Sequence, residues 1–173
     1  MDFNADHFSL FNLPRCYRID NTALDQRYRE IQTEVHPDRF AGAEDAQQRR
    51  SLQWATRANE AYQTLKKPLT RAQYLLDLLD CGLDLANNHA LPTDFLVEQM
   101  EWREAVAEAR ASKAQEELEA LYQRVRQQVR NAYAQLEILL DEEHDYPQAA
   151  DQIRRLMFLE KLLSEIDEAL ADE

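Results

Sequence analysis

The stretch "LDQRYREIQTEVHPDRF", residues 24–40, holds a helix and the end of that helix. Leu24, Tyr28, Ile31 and Val35 recur at steps of four, three and four, which is one face of an α-helix. Pro37 lacks an N–H and disfavours helical dihedrals in the residue before it, so the helix must stop near His36. Upstream, Asp20, Asn21 and Thr22 supply short side-chain acceptors for the first free N–H groups. Before them "HFSLFNL" (7–13) is apolar and long enough for one or two helical turns ahead of Pro14. Downstream, a loop around Phe40–Glu44 leads to a second run with Leu52, Ala55, Ala58, Tyr62 and Leu65 on one face, ended by "KKP" (66–68). Thr70 can cap a further short helix, "RAQYLLDLL", and Gly82 stands where a helix C-terminal glycine would.

Residues 82–92, "GLDLANNHALP", change the texture of the chain and read as a linker. We therefore expect one domain over 1–82, a linker over 83–92 and a second domain over 93–173. A helix should run from Pro92-Thr93-Asp94 to about Ala111. Another carries Leu118, Tyr122, Val125, Val129, Ala132, Leu136 and Leu139, an unbroken seam of a bundle. "DEEHDYP" (141–147) turns the chain, and a last helix carries Ile153, Leu156, Leu159, Leu163, Ile166 and Leu170. Three long helices with short connections predict an antiparallel bundle. No strand pattern and no internal repeat emerges, so the fold class is all-α in two parts.

Composition agrees. Hydrophobic residues make up 45% of 173, enough for a core, while only 2 Gly and 5 Pro leave little material for hairpins or glycine-rich nucleotide loops. The net charge of −13 argues against nonspecific nucleic-acid or anionic-membrane binding, because phosphate contacts need Lys and Arg. Cys16 and Cys81 form no CxxC pair, and two buried free thiols in a reducing cytosol are expected. No basic segment followed by an apolar run opens the chain, and no apolar run approaches a membrane span, so a cytoplasmic protein is expected.

Three readings compete for His36-Pro37-Asp38. It could be a plain helix stop. It could be an acid–base pair, but that needs a nucleophile or metal and a pocket, and no nucleophile elbow or glycine-rich loop accompanies it. None of the four His makes a metal-ligand pair at helical spacing, and His7, His89 and His144 read as surface or loop residues. No cofactor and no metal site are therefore expected. The third reading is recognition. An amphipathic helix, His-Pro-Asp, a basic residue and Phe40, then a second helix with "NEAYQTL" (59–65), resembles the J-domain of the DnaJ co-chaperones, and "FSLFNLP" before it matches as well. The resemblance implies that His36, Pro37 and Asp38 contact a DnaK-type chaperone and trigger its ATP hydrolysis. It implies that Arg39, Tyr28 and Arg29 belong to the same contact, although Tyr28 also fits the core stripe. The helix departs from the family's strongly basic pattern, with Asp25, Glu30 and Glu34 among Arg27 and Arg29.

The glycine/phenylalanine-rich stretch and cysteine-rich repeats of DnaJ are missing. With "PLTRAQYLL" (68–76), "FLVEQMEWRE" (95–104) and "IRRLMFLEKL" (153–162), nearly the whole chain resembles the HscB co-chaperones of iron–sulfur cluster assembly. The resemblance implies an adaptor rather than an enzyme. Its bundle would bind an IscU-type scaffold protein and deliver it to a chaperone of the HscA type.

The bundle's own periodicity bears on this. At about 100° per residue, Phe95, Trp102, Val106 and Ala109 share one face of their helix, while Leu96, Val97 and Met100 lie on another with Glu104, flanked by Glu101 and Glu108. That second face either packs on the first domain or a wider core, or is an apolar patch ringed by carboxylates that binds a protein. In the last helix Phe158 falls roughly opposite the core stripe, a candidate interface anchor. The resemblance implies scaffold binding by Leu96, Val97, Met100, Glu101, Glu104, Glu108 and Phe158. Other readings stay open: a J-domain co-chaperone for a different client, or a structural helical-bundle interaction protein.

Overall fold

The computed structural model describes residues 4–81 and 92–171. All of the expected linker over 83–92 except Pro92 lies outside the described residues, as do Gly82 and His89. Those that are described form helices α1 (His7–Leu10), α2 (Asn21–Val35), α3 (Asp45–Lys66), α4 (Pro68–Leu78), α5 (Thr93–Ala111), α6 (Gln115–Glu137) and α7 (Tyr146–Ala171), with no strand among them. A 3-10 turn, Pro37–Phe40, lies between α2 and α3, and a π turn, Ile138–Glu142, extends α6. The chain divides into two compact units, Met1–Leu75 and Leu76–Glu173, the division falling inside α4.

The first unit is built on the α2–α3 hairpin. Asp20 caps α2 by accepting from the N–H groups of Thr22 and Ala23 at 2.9 and 3.2 Å. Leu24, Ile31 and Val35 of α2 are buried with Trp54, Ala58, Ala61 and Leu65 of α3. The buried face of α3 keeps Ala58 and Leu65 as expected and takes Trp54 and Ala61 in place of Ala55 and Tyr62. Ser51 is buried, and Leu52 is exposed. The cause is a hydrogen bond: the Ser51 hydroxyl donates to the carbonyl of Val35, an acceptor left over at the end of α2. A buried carbonyl of this kind costs about 1–3 kcal/mol if unpaired. Trp54 is part of this core. Pro68 opens α4, and Thr70 is not its cap; the Thr70 hydroxyl donates to the carbonyls of Thr64 and Lys67 at 2.7 and 3.1 Å. Arg71, also buried, lies with its guanidinium over the Tyr17 ring at 4.9 Å and donates to the Leu65 carbonyl at 2.8 Å. Both cysteines are half-exposed rather than buried, their thiols donating to the carbonyls of Arg18 and Leu79.

His7 is not a surface residue either. Its imidazole stacks on Tyr74 at 4.2 Å and 13°, its backbone N–H donates to the Tyr74 hydroxyl oxygen at 3.0 Å, and its Nδ1 is buried without a hydrogen-bond partner. Burial, and then the charge of Arg57, hold the imidazole below the ordinary value near 6.5, against the opposing pull of Asp6 and Glu60. The unfolded chain then binds a proton more readily than the folded one, so this contribution is complete above about pH 6.5 and declines as the pH falls toward the lowered folded value. The expected result is a urea midpoint that drops between pH 7 and pH 5 and drops less in His7→Phe, which keeps a ring on Tyr74 but cannot titrate. An equal drop in both proteins would remove His7 from the account.

In the second unit α5, α6 and α7 enclose one core. Trp102, Val106 and Ala109 meet Leu118, Leu121 and Val125 of α6 and Leu159, Leu162 and Ile166 of α7. Tyr122, Val129 and Leu163, read as seam residues, pack at its margin. Heptad spacing drifts relative to 3.6 residues per turn, so Leu121 and Leu162 carry the buried positions instead. A polar node joins the three helices at one level. Arg155 of α7 pairs with Glu98 of α5 at 2.7 Å and reaches Gln128 of α6 at 3.5 Å. Four connections pass through left-handed backbone at Asn12, Asp80, Lys113 and His144, with φ between 52° and 54° and no glycine among them. No helix among the described residues is long and apolar enough to cross a membrane.

Candidate functional site

The His-Pro-Asp turn is built on the stopped end of α2. His36 leaves helical geometry at ψ 128°, and Pro37 opens the 3-10 turn. The N–H of Asp38 donates to Nδ1 of His36 at 3.3 Å. The Asp38 carboxylate is 3.6 Å from Nδ1 and its side chain is 90% exposed. Arg39 folds back, its Nη1 donating to the Thr33 carbonyl at 3.1 Å and its N–H to the His36 carbonyl at 3.0 Å. On the α3 side, Gln48 donates to the carbonyl of Ala43 at 3.0 Å. A carboxylate held open to water is well placed to meet a cation on another molecule.

Tyr28, Arg29, His36, Pro37 and Arg39 line one open groove of about 800 Å³ along the α2–α3 hairpin, with Gln32, Thr33, Ala55 and Asn59. Tyr28 is a half-buried wall of it. Its ring stacks on Tyr62 at 4.0 Å and 9°, and its hydroxyl donates to Asn59 at 3.0 Å. The stack accounts for its place on the core stripe, and the same side chain lines the groove. Two acids of α2 are paired: Asp25 accepts from Lys66 at 2.7 Å and from the Tyr62 hydroxyl at 2.9 Å, which hold its carboxyl below the ordinary range, and Glu30 pairs with Arg27. The residues lining the groove include Arg29 and Arg39 and no acid, so these two cations set its sign.

In the second unit, Leu96, Val97 and Met100 are 44%, 49% and 71% exposed. Phe95 and Trp102 face the core, so α5 is apolar on two sides. Val97, Glu101, Glu104 and Glu108 form one stripe at steps of four, three and four, and the three glutamates are exposed. Leu96, Met100 and Arg103 form the stripe beside it. Phe158 is not opposite the core. It is half-buried, edge-on to Phe95 at 5.9 Å and 85°, with the guanidinium of Arg103 over its ring at 5.7 Å. Phe158 is thus tied to α5 through Phe95 and Arg103. Sequence reading omitted Arg103, although its place three residues after Met100 and seven after Leu96 puts it on the same stripe. Among the described residues no group of three or more His, Cys, Asp or Glu could hold a metal ion.

A family model described as the HSCB C-terminal oligomerisation domain matches residues 91–167. A co-chaperone protein HscB homolog of Azoarcus sp. (strain BH72) is 54% identical over 170 residues, covering 98% of this chain and 96% of that protein. One from Burkholderia cenocepacia is 49% identical over 92% of this chain and 91% of its own length. Among solved structures, chaperone HscB from Vibrio cholerae matches with a TM-score of 0.81 at 36% identity, covering 95% of this chain and 96% of that one. The crystal structure of human co-chaperone protein HscB matches with a TM-score of 0.88 at 27% identity, over 97% of this chain and 83% of that one.

Proposed function

The chain belongs to the family of HscB co-chaperones, and from that premise we propose that it stimulates ATP hydrolysis by a DnaK/HscA-type chaperone and delivers an IscU-type iron–sulfur scaffold protein to it. The observation that carries this reading is the gathering of His36, Pro37, Arg39, Tyr28 and Arg29 on one groove, with the Asp38 carboxylate open beside it. The chain acts as a cytoplasmic adaptor. ATP hydrolysis takes place in the partner, and the His-Pro-Asp turn supplies contacts to it. We assign ATPase stimulation to residues 1–82 and scaffold binding to residues 93–173, with 83–92 as the linker between them. The exposed apolar residues of α5, bordered by Glu101, Glu104 and Glu108, suit a partner that brings apolar side chains and a basic rim.

The test is a single-turnover ATPase assay of an HscA-type chaperone. The chain alone should raise the rate, and chain plus IscU-type scaffold should raise it further than the two effects added separately. No stimulation by the chain under either condition would refute the proposal. The matched family's description favours a second occupant for the α5 face, another copy of the chain. Sedimentation equilibrium separates the two: a monomer that binds scaffold supports delivery, and a dimer that scaffold does not dissociate supports self-association.

A further inference from the structure

The charge pattern around Phe158 extends the scaffold site, and the inference rests on the reading just given. Arg103 sits on the exposed side of α5 in a chain of net charge −13. Several long cations meet a carboxylate, Arg15 with Asp6, Arg27 with Glu30, Lys66 with Asp25, Arg154 with Asp151 and Arg155 with Glu98, and others, such as Arg39, donate to a backbone carbonyl. Arg103 does neither. Its helical neighbours at three and four residues are Gln99, Met100, Val106 and Ala107, none of them acidic, and among the described residues it enters no ion pair. Its guanidinium instead lies over the Phe158 ring, which is braced from another side by the edge contact with Phe95. A cation over an aromatic face keeps its charge and most of its N–H groups available. The neighbouring stripe of α5 is Glu101, Glu104 and Glu108.

We propose that Arg103 is a specificity-determining contact of the scaffold site: it receives a carboxylate from the partner beside Phe158, while Glu101, Glu104 and Glu108 receive Lys or Arg. The footprint recognised is therefore apolar at its centre and of opposite charge on its two sides. An apolar patch alone accepts many partners and several orientations. A patch with an acidic stripe on one side and a single cation on the other fixes one orientation, because the reversed pose sets like charges together. Part of the contact is covered by the Phe158 ring and by the apolar residues of α5, where charges are screened less than in open water.

The experiment is calorimetric titration of the full chain with an IscU-type scaffold protein, comparing Arg103→Glu, Arg103→Met and Arg126→Glu. Arg126 is exposed on α6 and gives a control of identical charge change. Arg103→Glu is expected to weaken binding by about tenfold or more, as for reversal of a charge at a complementary interface. Arg103→Met, which keeps a long side chain over the ring, is expected to weaken it less, and Arg126→Glu by less than about twofold. All three should melt with the unaltered chain. If Arg103→Glu binds as the unaltered chain does, or if Arg126→Glu weakens binding as much as Arg103→Glu, the inference is overturned while the scaffold assignment stands. If the unaltered chain does not bind the scaffold at all, the assignment itself fails.

Discussion

Asp38→Asn, and separately His36→Gln, is expected to abolish stimulation of the partner ATPase while helical circular dichroism and the melting temperature are unchanged. The Asp38 side chain is 90% exposed, so turning its carboxylate into an amide should leave folding within about 0.5 kcal/mol of the original. His36 does one thing for the fold: its Nδ1 accepts the Asp38 N–H at 3.3 Å. The Gln side-chain carbonyl can accept in its place, and even complete loss of that exposed bond costs only about 1 kcal/mol. Against this small structural effect stands the loss of a charged contact. Central interface residues carry about 2–4 kcal/mol each, which is roughly 30- to 1,000-fold in affinity. The comparison therefore separates a recognition turn from a mere helix stop. Full stimulation by both variants would leave Pro37 as a helix breaker and nothing more.

The second large effect is expected from Leu96→Ala combined with Met100→Ala. Both side chains are exposed, at 44% and 71%, so the pair should melt within about 1 kcal/mol of the unaltered protein. Loss of both from the middle of a protein-binding face should weaken scaffold binding by about 100-fold or more. Sequence spacing left two accounts of this face, and they predict opposite melting curves. Were these residues core, each truncation would cost about 2–5 kcal/mol and the double variant would be severely destabilised. A large drop in melting temperature would remove the α5 face from the proposal. Phe158→Ala should differ from the pair. Its half-buried ring rests on Phe95, so some stability should be lost along with binding, and it is the poorer probe for that reason.

The helices were legible because their signals are local and strong. Pro37 ends α2, Asp20 begins it, and α5 spans Thr93–Ala111 from the Pro-Thr-Asp that announces it. What was not legible depends on partners distant in sequence. The face of α3 is set by Ser51 reaching the Val35 carbonyl, and a reading by hydrophobicity chooses Leu52 over a serine. His7 is drawn inward by Tyr74, sixty-seven residues on. The His-Pro-Asp residues could be named from the sequence. That Tyr28 serves both the groove and the aromatic stack needed the position of Tyr62. Phe158 was found by its angle on α7 but misplaced. A helical wheel cannot show that Phe95 and Arg103 close over it from α5. Arg103 escaped notice because an arginine on a charged helix is unremarked until its neighbours are seen to leave it unpaired.

The left-handed helix stops at Asn12, Asp80, Lys113 and His144 bear on the denatured chain as well as the folded one. A side chain in that conformation costs roughly 1–2 kcal/mol in the folded turn, a penalty glycine would avoid. Glycine would also enlarge the set of unfolded conformations, and replacing it by a residue with a Cβ narrows that set at a gain of about 0.4–1 kcal/mol. With 2 glycines in 173 residues, the chain takes the second course at every one of these turns. The gain in the unfolded chain offsets only part of the cost in the folded turn, so glycine at Lys113 or His144 is expected to stabilise the protein despite the freedom it adds to the unfolded polypeptide.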